Sequence, residues 1–264
     1  MREFQDAVWD YYSRHGRTMP WRTRHDPYSV IVSELMLQQT QVARVIPKFE
    51  QFMAKFPSIE DLARAPLSEV IVAWQGLGYN RRARFLHETA KIITTDHGGI
   101  FPSTLIELVK LPGIGKNTAG ALLAYAFDMR AVFVETNIRT ALFHHFFENN
   151  TLVDDTQLIE LLERILPEAH YREWYWALMD YGSHLKKTVG GRLDQSRHYK
   201  KQAPLKGSLR EVRGMIIKCL TGGTVDEATL RQAIGADDRF TPALDGLIRD
   251  GLVTRDATNL RLTV

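Results

Sequence analysis

The ten residues Leu111-Pro112-Gly113-Ile114-Gly115-Lys116-Asn117-Thr118-Ala119-Gly120 constrain this chain more than any other stretch. Thr104 and Glu107 stand at capping-box spacing ahead of Leu105, Leu108 and Val109, so a short helix is predicted up to Leu111. Pro112 and Gly113 stop it. Gly115 supplies a backbone position with no Cβ, and a second helix then carries Ala119, Leu122, Leu123 and Ala126. The product is two helices joined by a four-residue hairpin. A Gly-x-Gly turn that opens a helix aims several backbone N–H groups at one point, where the helix dipole favours an anion. With Lys116 alongside, the fitting ligand is a phosphate. The same geometry also serves as an ordinary corner between packed helices, and the stretch alone leaves both uses open.

At 264 residues, 44% hydrophobic and 25% charged, the chain can bury a substantial core in one large or two modest domains. A net charge of +3 permits a nucleic-acid partner without demanding one. Cys219 is the single cysteine, which excludes an intrachain disulfide and a cysteine-ligated metal cluster. No apolar run reaches the roughly 18 residues of a membrane span, and no signal-peptide pattern opens the chain. The nine histidines are scattered, and the pair His144-His145 reads as a helix face. The expectations are a cytoplasmic protein with no metal and no membrane partner.

Phe4, Val8 and Tyr11 have helical spacing within residues 3–14. Met19-Pro20-Trp21-Arg22 breaks that helix. Asp26-Pro27 is an N-cap followed by proline at the first helical position, and the spacing predicts a helix from Tyr28 to about Arg44. Its first half is apolar nearly all round, which marks a buried helix and places Glu34 at least partly inside. A carboxyl there has a raised pKa and can carry a proton near neutral pH; a carboxylate satisfied by a hydroxyl or backbone partner is the plainer alternative. Further helices are predicted at about 45–56, 59–65 after a Ser58 cap, and 68–75. The glycine turn Gly76-Leu77-Gly78-Tyr79-Asn80 precedes Arg81, Arg82 and Arg84, a cluster of the kind that usually forms a solvated face. Glu135 sits where an extended run turns into a helix, so the dipole stabilises its charge, as it would for any capping acid. Tyr171, Trp174, Tyr175 and Trp176 read as core within helices at about 155–166 and 172–186.

Residues 183–207 change character. Lys186, Lys187, Arg192, Arg197, Lys200, Lys201 and Lys206 face one acid, Asp194, around Gly190-Gly191 and Pro204. This basic linker suits either a phosphate backbone or a solvated tether. From Ser208 a second unit begins, with capping boxes at Ser208/Glu211 and Thr224/Glu227. A third helix opens at Thr241-Pro242 and ends at Gly251, and a hairpin turns around Arg255–Asn259. Three helices and a two-stranded hairpin form a winged-helix pattern. Its eight basic and eight acidic residues make it no obvious DNA clamp.

Residues 1–182 resemble the helix-hairpin-helix DNA glycosylases, and among them the adenine DNA glycosylases of the MutY type. The matching runs are Pro20-Trp21-Arg22, Ser33-Glu34-Leu35-Met36-Leu37-Gln38-Gln39-Thr40-Gln41-Val42, Gly76-Leu77-Gly78-Tyr79, His97-Gly98-Gly99-x-Phe101-Pro102 and Leu111 to Leu122, in the family's order. The resemblance implies an all-α, two-lobed glycosylase domain over 1–186. In it a six-helix barrel of about 26–136 packs against a second lobe from 1–25 and 137–186. A basic linker (187–207) and a small winged-helix-like domain (208–264) follow. It also implies a monomer that binds double-stranded DNA with a mismatch or oxidised base and flips out an adenine opposite 8-oxoguanine or guanine. Glu34 then matches the general acid, and Glu135, Asn137 and Asn117 stand at catalytic positions. Arg22, Gln38, Gln39, Tyr79, Gly113, Gly115, Lys116 and Thr118 match DNA-binding positions.

The departures are specific. Glu135 stands where the family has an aspartate. Asn117 stands where lyase-active relatives have a lysine, which implies a monofunctional enzyme. Asn80 replaces a common aromatic. The four cysteines that hold an iron–sulfur cluster are absent, so no cofactor is expected, and a winged-helix-like unit stands in place of the Nudix-like domain. The alternatives are a glycosylase for uracil, thymine or hypoxanthine opposite guanine, and a non-catalytic lesion-binding protein.

Overall fold

The computed structural model describes residues 1–148, 152–197, 203–235 and 237–264. In chain order the elements are α1 (Arg2–His15), a 3₁₀ turn (Pro20–Arg22), α2 (Pro27–Leu37), α3 (Val42–Lys55), α4 (Ile59–Arg64), α5 (Leu67–Ala73) and α6 (Arg81–Asp96). Then come α7 (Leu105–Leu108), α8 (Lys116–Phe127), α9 (Thr136–Phe146), α10 (Asp155–Ile165), α11 (Tyr171–Thr188) and a 3₁₀ turn (Leu193–Gln195). The chain closes with α12 (Leu209–Leu220), β1 (Val225–Asp226), α13 (Glu227–Ala233), α14 (Phe240–Arg249), β2 (Val253–Asp256) and β3 (Asn259–Leu262).

Local chemistry sets many of these boundaries. Asp26 accepts from the Ser29 N–H at 2.7 Å, Ser58 from the Asp61 N–H at 3.1 Å and Thr104 from the Glu107 N–H at 3.3 Å. Each such cap stabilises its helix by about 1 kcal/mol. Other expected boundaries move. α2 ends at Leu37 rather than near Arg44, because Gln39 turns into the left-handed region at φ 54°. α7 stops at Leu108, short of Leu111. At α13 the expected Thr224/Glu227 box gives way to Asp226, which accepts from the Ala228 and Thr229 N–H groups. Val225 and Asp226 are already extended there, paired with Leu260 and Asn259. Ser208 is the N-cap of α12, but its hydroxyl donates to the Leu205 carbonyl instead of capping. α14 starts at Phe240, so Thr241-Pro242 falls inside its first turn, where a missing N–H costs nothing.

The chain divides into two compact units. One comprises Met1–Ile31, Pro102–Lys110 and Ile114–Lys201. Its centre is α11, which packs on α9, α1 and α8. Trp174 and Tyr175 are fully buried, as expected of a core, and Tyr175 stacks on Phe133 at 4.1 Å while its hydroxyl donates to the Ala131 carbonyl. Gly182 on α11 lies against the backbone of Asn137, and a Cβ at 182 would overlap the Asn137 carbonyl oxygen. The start of the basic segment also belongs here. Thr140 donates to the Gly191 carbonyl, and Arg192 and Arg197 pair with Glu148 and Asp154. Lys200 and Lys201 lie outside the described residues.

The other unit comprises Val32–Phe101, Leu111–Gly113 and Gln202–Val264. α4 and α5 pack on α6, and α3 on α5, around Phe49, Phe52, Leu62, Val70 and Trp74. The expected C-terminal hairpin gains a third strand: the sheet runs β1-β3-β2, all antiparallel, with Leu260 opposite both Val225 and Arg255. α12 and α14 cover it around Val212, Ile216, Phe240, Leu244 and Leu247. Of the arginine cluster, Arg81 stays exposed as expected of a solvated face, but Arg81 and Arg84 also join the two parts of this unit. Arg84 donates to the Asp250 carbonyl at 2.5 Å, and Arg81 pairs with the Asp250 carboxylate at 3.6 Å. No helix among the described residues is long and apolar enough to cross a membrane.

Candidate active site

The candidate residues fall into two sets, one in each unit. In the unit that holds the C-terminal module, α2 carries Glu34 at its last turn, half-buried between fully buried Ser33 and Leu35. The apolar surround predicted for this helix is present: Val30, Ile31, Val32, Leu35 and Met36 are all buried. Beyond it, Gln38 and Gln39 turn the chain toward α3. A second turn, Gly76 to Tyr79, faces them, with Gly76, Gly78 and Tyr79 all at positive φ (89°, 71° and 47°). Gln38, Gln39, Tyr79 and Gly113 line one pocket. Gly113 has a positive φ of 75°, and a Cβ there would meet the Phe85 ring at 2.8 Å, so both backbone and packing demand glycine.

Arg82 holds the two turns together. One guanidinium nitrogen donates to the carbonyls of Leu35, Met36 and Gln38, and the other to those of Leu77 and Gly78 and to the Thr40 hydroxyl. The carbonyls that α2 leaves unused at its C-terminus are thereby satisfied. Burial lowers the Arg82 pKa to about 10, partly opposed by Tyr79. Sequence reasoning missed this role; the arginine run after a glycine turn was its only signal.

In the other unit, Gly115 is the N-cap of α8 at φ −86°, with open space where a Cβ would point. Neither conformation nor packing explains a glycine there. Lys116 is exposed beside it and Thr118 is buried at the first turn. Asn117, the other asparagine expected near the chemistry, clasps backbone. Its amide donates to the Val134 carbonyl at 3.1 Å and accepts from the Val134 N–H at 3.4 Å. It thus positions the residue preceding Glu135. Glu135 is the N-cap of α9, as expected, but makes no side-chain cap to the helix interior. Burial pushes its carboxyl pKa up; the Thr136 N–H and the charge of Arg139 oppose this. Arg139 is committed elsewhere, in a bidentate pair with Asp155 at 2.6 and 3.1 Å. Asn137 follows on the first turn of α9, its backbone against Gly182.

Arg22 corrects an expectation. It is only 9% exposed, and both arms of its guanidinium grip Asp180 at 2.8 Å. Arg17 completes the cluster with its backbone N–H and its guanidinium. A guanidinium so buried and paired is a scaffold group with no face left for DNA. Nothing in the local sequence links position 22 to position 180. Among the described residues no group of three or more His, Cys, Asp or Glu could hold a metal ion.

A mostly helical frame with a glycine hairpin at the start of one helix, an acid on an apolar helix and a second acid at a helix N-cap fits the class of helix-hairpin-helix glycosylases. The HhH-GPD superfamily of base excision DNA repair proteins matches residues 32–168, just over half of the chain, and the chain belongs to that superfamily. It is 40% identical over 182 residues to the adenine DNA glycosylase of Buchnera aphidicola subsp. Baizongia pistaciae, covering 68% of this chain and 52% of that one. It is 36% identical over 193 residues to the adenine DNA glycosylase of Homo sapiens, covering 68% and 35%. The chain therefore spans about half the length, or less, of these curated relatives. Among solved structures, a thermostable thymine-DNA glycosylase superposes with a TM-score of 0.65 at 27% identity, over 73% of this chain and 90% of that one. A trapped endonuclease III–DNA covalent intermediate superposes at 0.58 and 20% identity, over 77% and 88%, a likeness of fold. The family match ends at residue 168, so the C-terminal module lies beyond it.

Proposed function

We propose that this protein is a monofunctional DNA N-glycosylase that removes adenine mispaired with 8-oxoguanine or guanine, acting as a monomer in the cytoplasm. The observation that carries the reading is Glu34, a half-buried carboxyl at the end of an apolar helix and inside the residues that match the superfamily, in a chain whose relatives are named adenine DNA glycosylase. The glycosidic bond is unreachable inside the duplex, so the adenine is turned out of the stack. Glu34 gives a proton to the base and makes it a better leaving group. As the bond breaks, positive charge grows on the sugar, and the Glu135 carboxylate stabilises it. Water then adds to the sugar, leaving an abasic site and free adenine. Asn117 carries an amide, already engaged with Val134, so no amine is present there to form a Schiff base and cleave the strand. Hydrolysis needs no cofactor, and a chain with one cysteine supports a reading without an iron–sulfur cluster. The open space at Gly115 supports close approach of a DNA phosphate to the start of α8, with Lys116 beside it.

A second reading has its own support. The fold neighbour with the TM-score of 0.65 is a thymine-DNA glycosylase, so thymine or uracil opposite guanine is the competing substrate. Single-turnover excision separates the two, on duplexes carrying adenine, thymine or uracil opposite guanine and adenine opposite 8-oxoguanine, each resolved with and without alkali. Alkali-dependent cleavage at adenine alone supports the first reading, and cleavage at thymine or uracil moves the assignment to the second. Glu34→Gln is expected to lower adenine release by about 100-fold or more while duplex binding survives. Full activity in that variant would remove Glu34 from the mechanism.

A further inference from the structure

The C-terminal module lies outside the family match, and the pocket it shares with the glutamine and tyrosine turns is the feature of this unit that remains unexplained. The pocket measures about 410 Å³, within the usual range for small-ligand sites. Helix α12 contributes Arg210, Arg213 and Gly214 to its wall, facing Gln38, Gln39 and Tyr79. The wall is strongly cationic: Arg81, Arg82, Arg210 and Arg213 stand against one carboxylate, Asp250. Asp250 is shared by Arg213 at 2.5 Å and Arg81 at 3.6 Å. Among the described residues, no carboxylate pairs with Arg210 or Arg82; both are held by carbonyls and hydroxyls. The Tyr79 ring has both guanidinium groups near it, Arg82 at 5.6 Å and Arg210 at 5.4 Å from the ring centre, and its hydroxyl accepts from Arg210. Gln39 and Tyr79 are both held in the left-handed region without being glycine, and backbone of that kind clusters at ligand sites.

We propose that α12 completes a phosphate-binding pocket for DNA, in which Arg210, backed by the positive charge of Arg213, takes a phosphate of the bound DNA beside the Gln39 and Tyr79 turns. An arginine fork suits phosphate oxygens, and an arginine with no carboxylate partner among the described residues is free to take one. The module's balanced overall charge concealed this, because what matters is that Arg210 and Arg213 fall on the one stretch of α12 that meets the turns. The proposal rests on the reading of the protein as DNA-binding but not on which base is excised.

Gly214 provides a clean test. It lies on the pocket side of α12 with nothing within 4 Å of where a Cβ would point. Gly214→Ala therefore fits the helix and leaves the pocket's charge alone, whereas Gly214→Glu places an acid among the arginines. Full-length protein is titrated with mispaired and matched duplexes over a range of salt. Arg210→Ala and Gly214→Glu are expected to weaken binding by about 10-fold and to reduce the salt slope by about 1 for each phosphate no longer held, with Gly214→Ala weakening it less than Gly214→Glu. A weakening equal on all duplexes supports the phosphate contact, and one confined to a single opposite base overturns it. Wild-type affinity and slope in both variants overturn it. If wild type releases adenine while the variants bind normally, only this proposal fails. If wild type releases no adenine but Arg210→Ala still weakens binding, the pocket stands and the adenine reading fails.

Discussion

Asp180 and Glu135 belong to the same compact unit; the Asp180 carboxyl is fully buried and Glu135 is half-buried at its helix N-cap. Burial alone would raise both pKa values. For Asp180 the opposing interactions win. It receives hydrogen bonds from both arms of Arg22 and from the backbone and guanidinium of Arg17, which hold it below the usual carboxylate value. Glu135 has the Thr136 N–H and the distant field of an arginine already committed to Asp155, so burial prevails and its pKa rises. The cost of desolvating a carboxylate is common to both sites; the partners differ. A scaffold acid is neutralised at close range, whereas an acid left under-compensated at a helix N-terminus is poised to stabilise a cation that forms beside it.

The largest effect expected from breaking this comparison is at the scaffold. Asp180→Ala strips the counter-charge from Arg22, which is 9% exposed, and from Arg17. Removing one member of a buried pair typically costs about 3–5 kcal/mol. Chemical denaturation at neutral pH measures it. A destabilisation below about 1 kcal/mol would mean that the cluster behaves as a surface ion pair and that the contrast with Glu135 is false.

How much of this was legible in the sequence depends on range. The Asp26-Pro27, Ser58 and Thr104 caps, the apolar run of α2 and the placement of Glu135 at a helix start are local, and the sequence states them within a few residues. Glu34 was legible as an acid inside an apolar helix for the same reason. The Arg22–Asp180 pair spans 158 positions, and Arg82 reaches carbonyls as far as 47 positions away. No periodicity encodes such pairings. The motif assigned Arg22 to DNA, but burial and a bidentate partner decided its role. Asn117 shows the same lesson at the site. Its position was legible, but its clasp on Val134 depends on where the chain returns 17 residues later. The turn at Gln39 was not legible, because a left-handed non-glycine residue is set by its surroundings, here the Arg82 clamp on neighbouring carbonyls.

The next effect sharpens the contrast at the acid proposed for catalysis. Glu135→Gln removes a charge whose burial is poorly compensated, so stability at neutral pH is expected to hold or rise, the opposite of Asp180→Ala. Adenine release is expected to fall by about 100-fold or more, as when one electrostatic stabiliser of a transition state is removed. Glu135→Asp restores the carboxylate in a shorter form and is expected to keep or raise activity. Paired melting and single-turnover measurements on the two variants check this. A Gln variant that unfolds as readily as Asp180→Ala would make Glu135 another scaffold acid, and a dead Asp variant would mean that the site is built around the longer side chain.

The smallest effect is the pH dependence of stability, and its sign distinguishes the two acids directly. Glu135 binds its proton more tightly in the folded protein than in the unfolded chain. Its contribution to stability is therefore full below the ordinary value of 4.5 and is lost as pH rises through the higher folded value. Asp180 binds its proton less tightly when folded. Its contribution is full above the ordinary value of 3.8 and is lost as pH falls through the lower folded value. Wild type and Glu135→Gln are thus expected to have similar stability in acid, with wild type falling behind as pH rises above 4.5. Wild type and Asp180→Asn are expected to converge only well below pH 3.8, with wild type pulling ahead as pH rises. Denaturation midpoints for the three proteins across the acid range, at fixed salt, give both differences. If the two slopes share a sign, one balance of burial and pairing governs both carboxylates, and the contrast that supports Glu135 in its proposed role is lost.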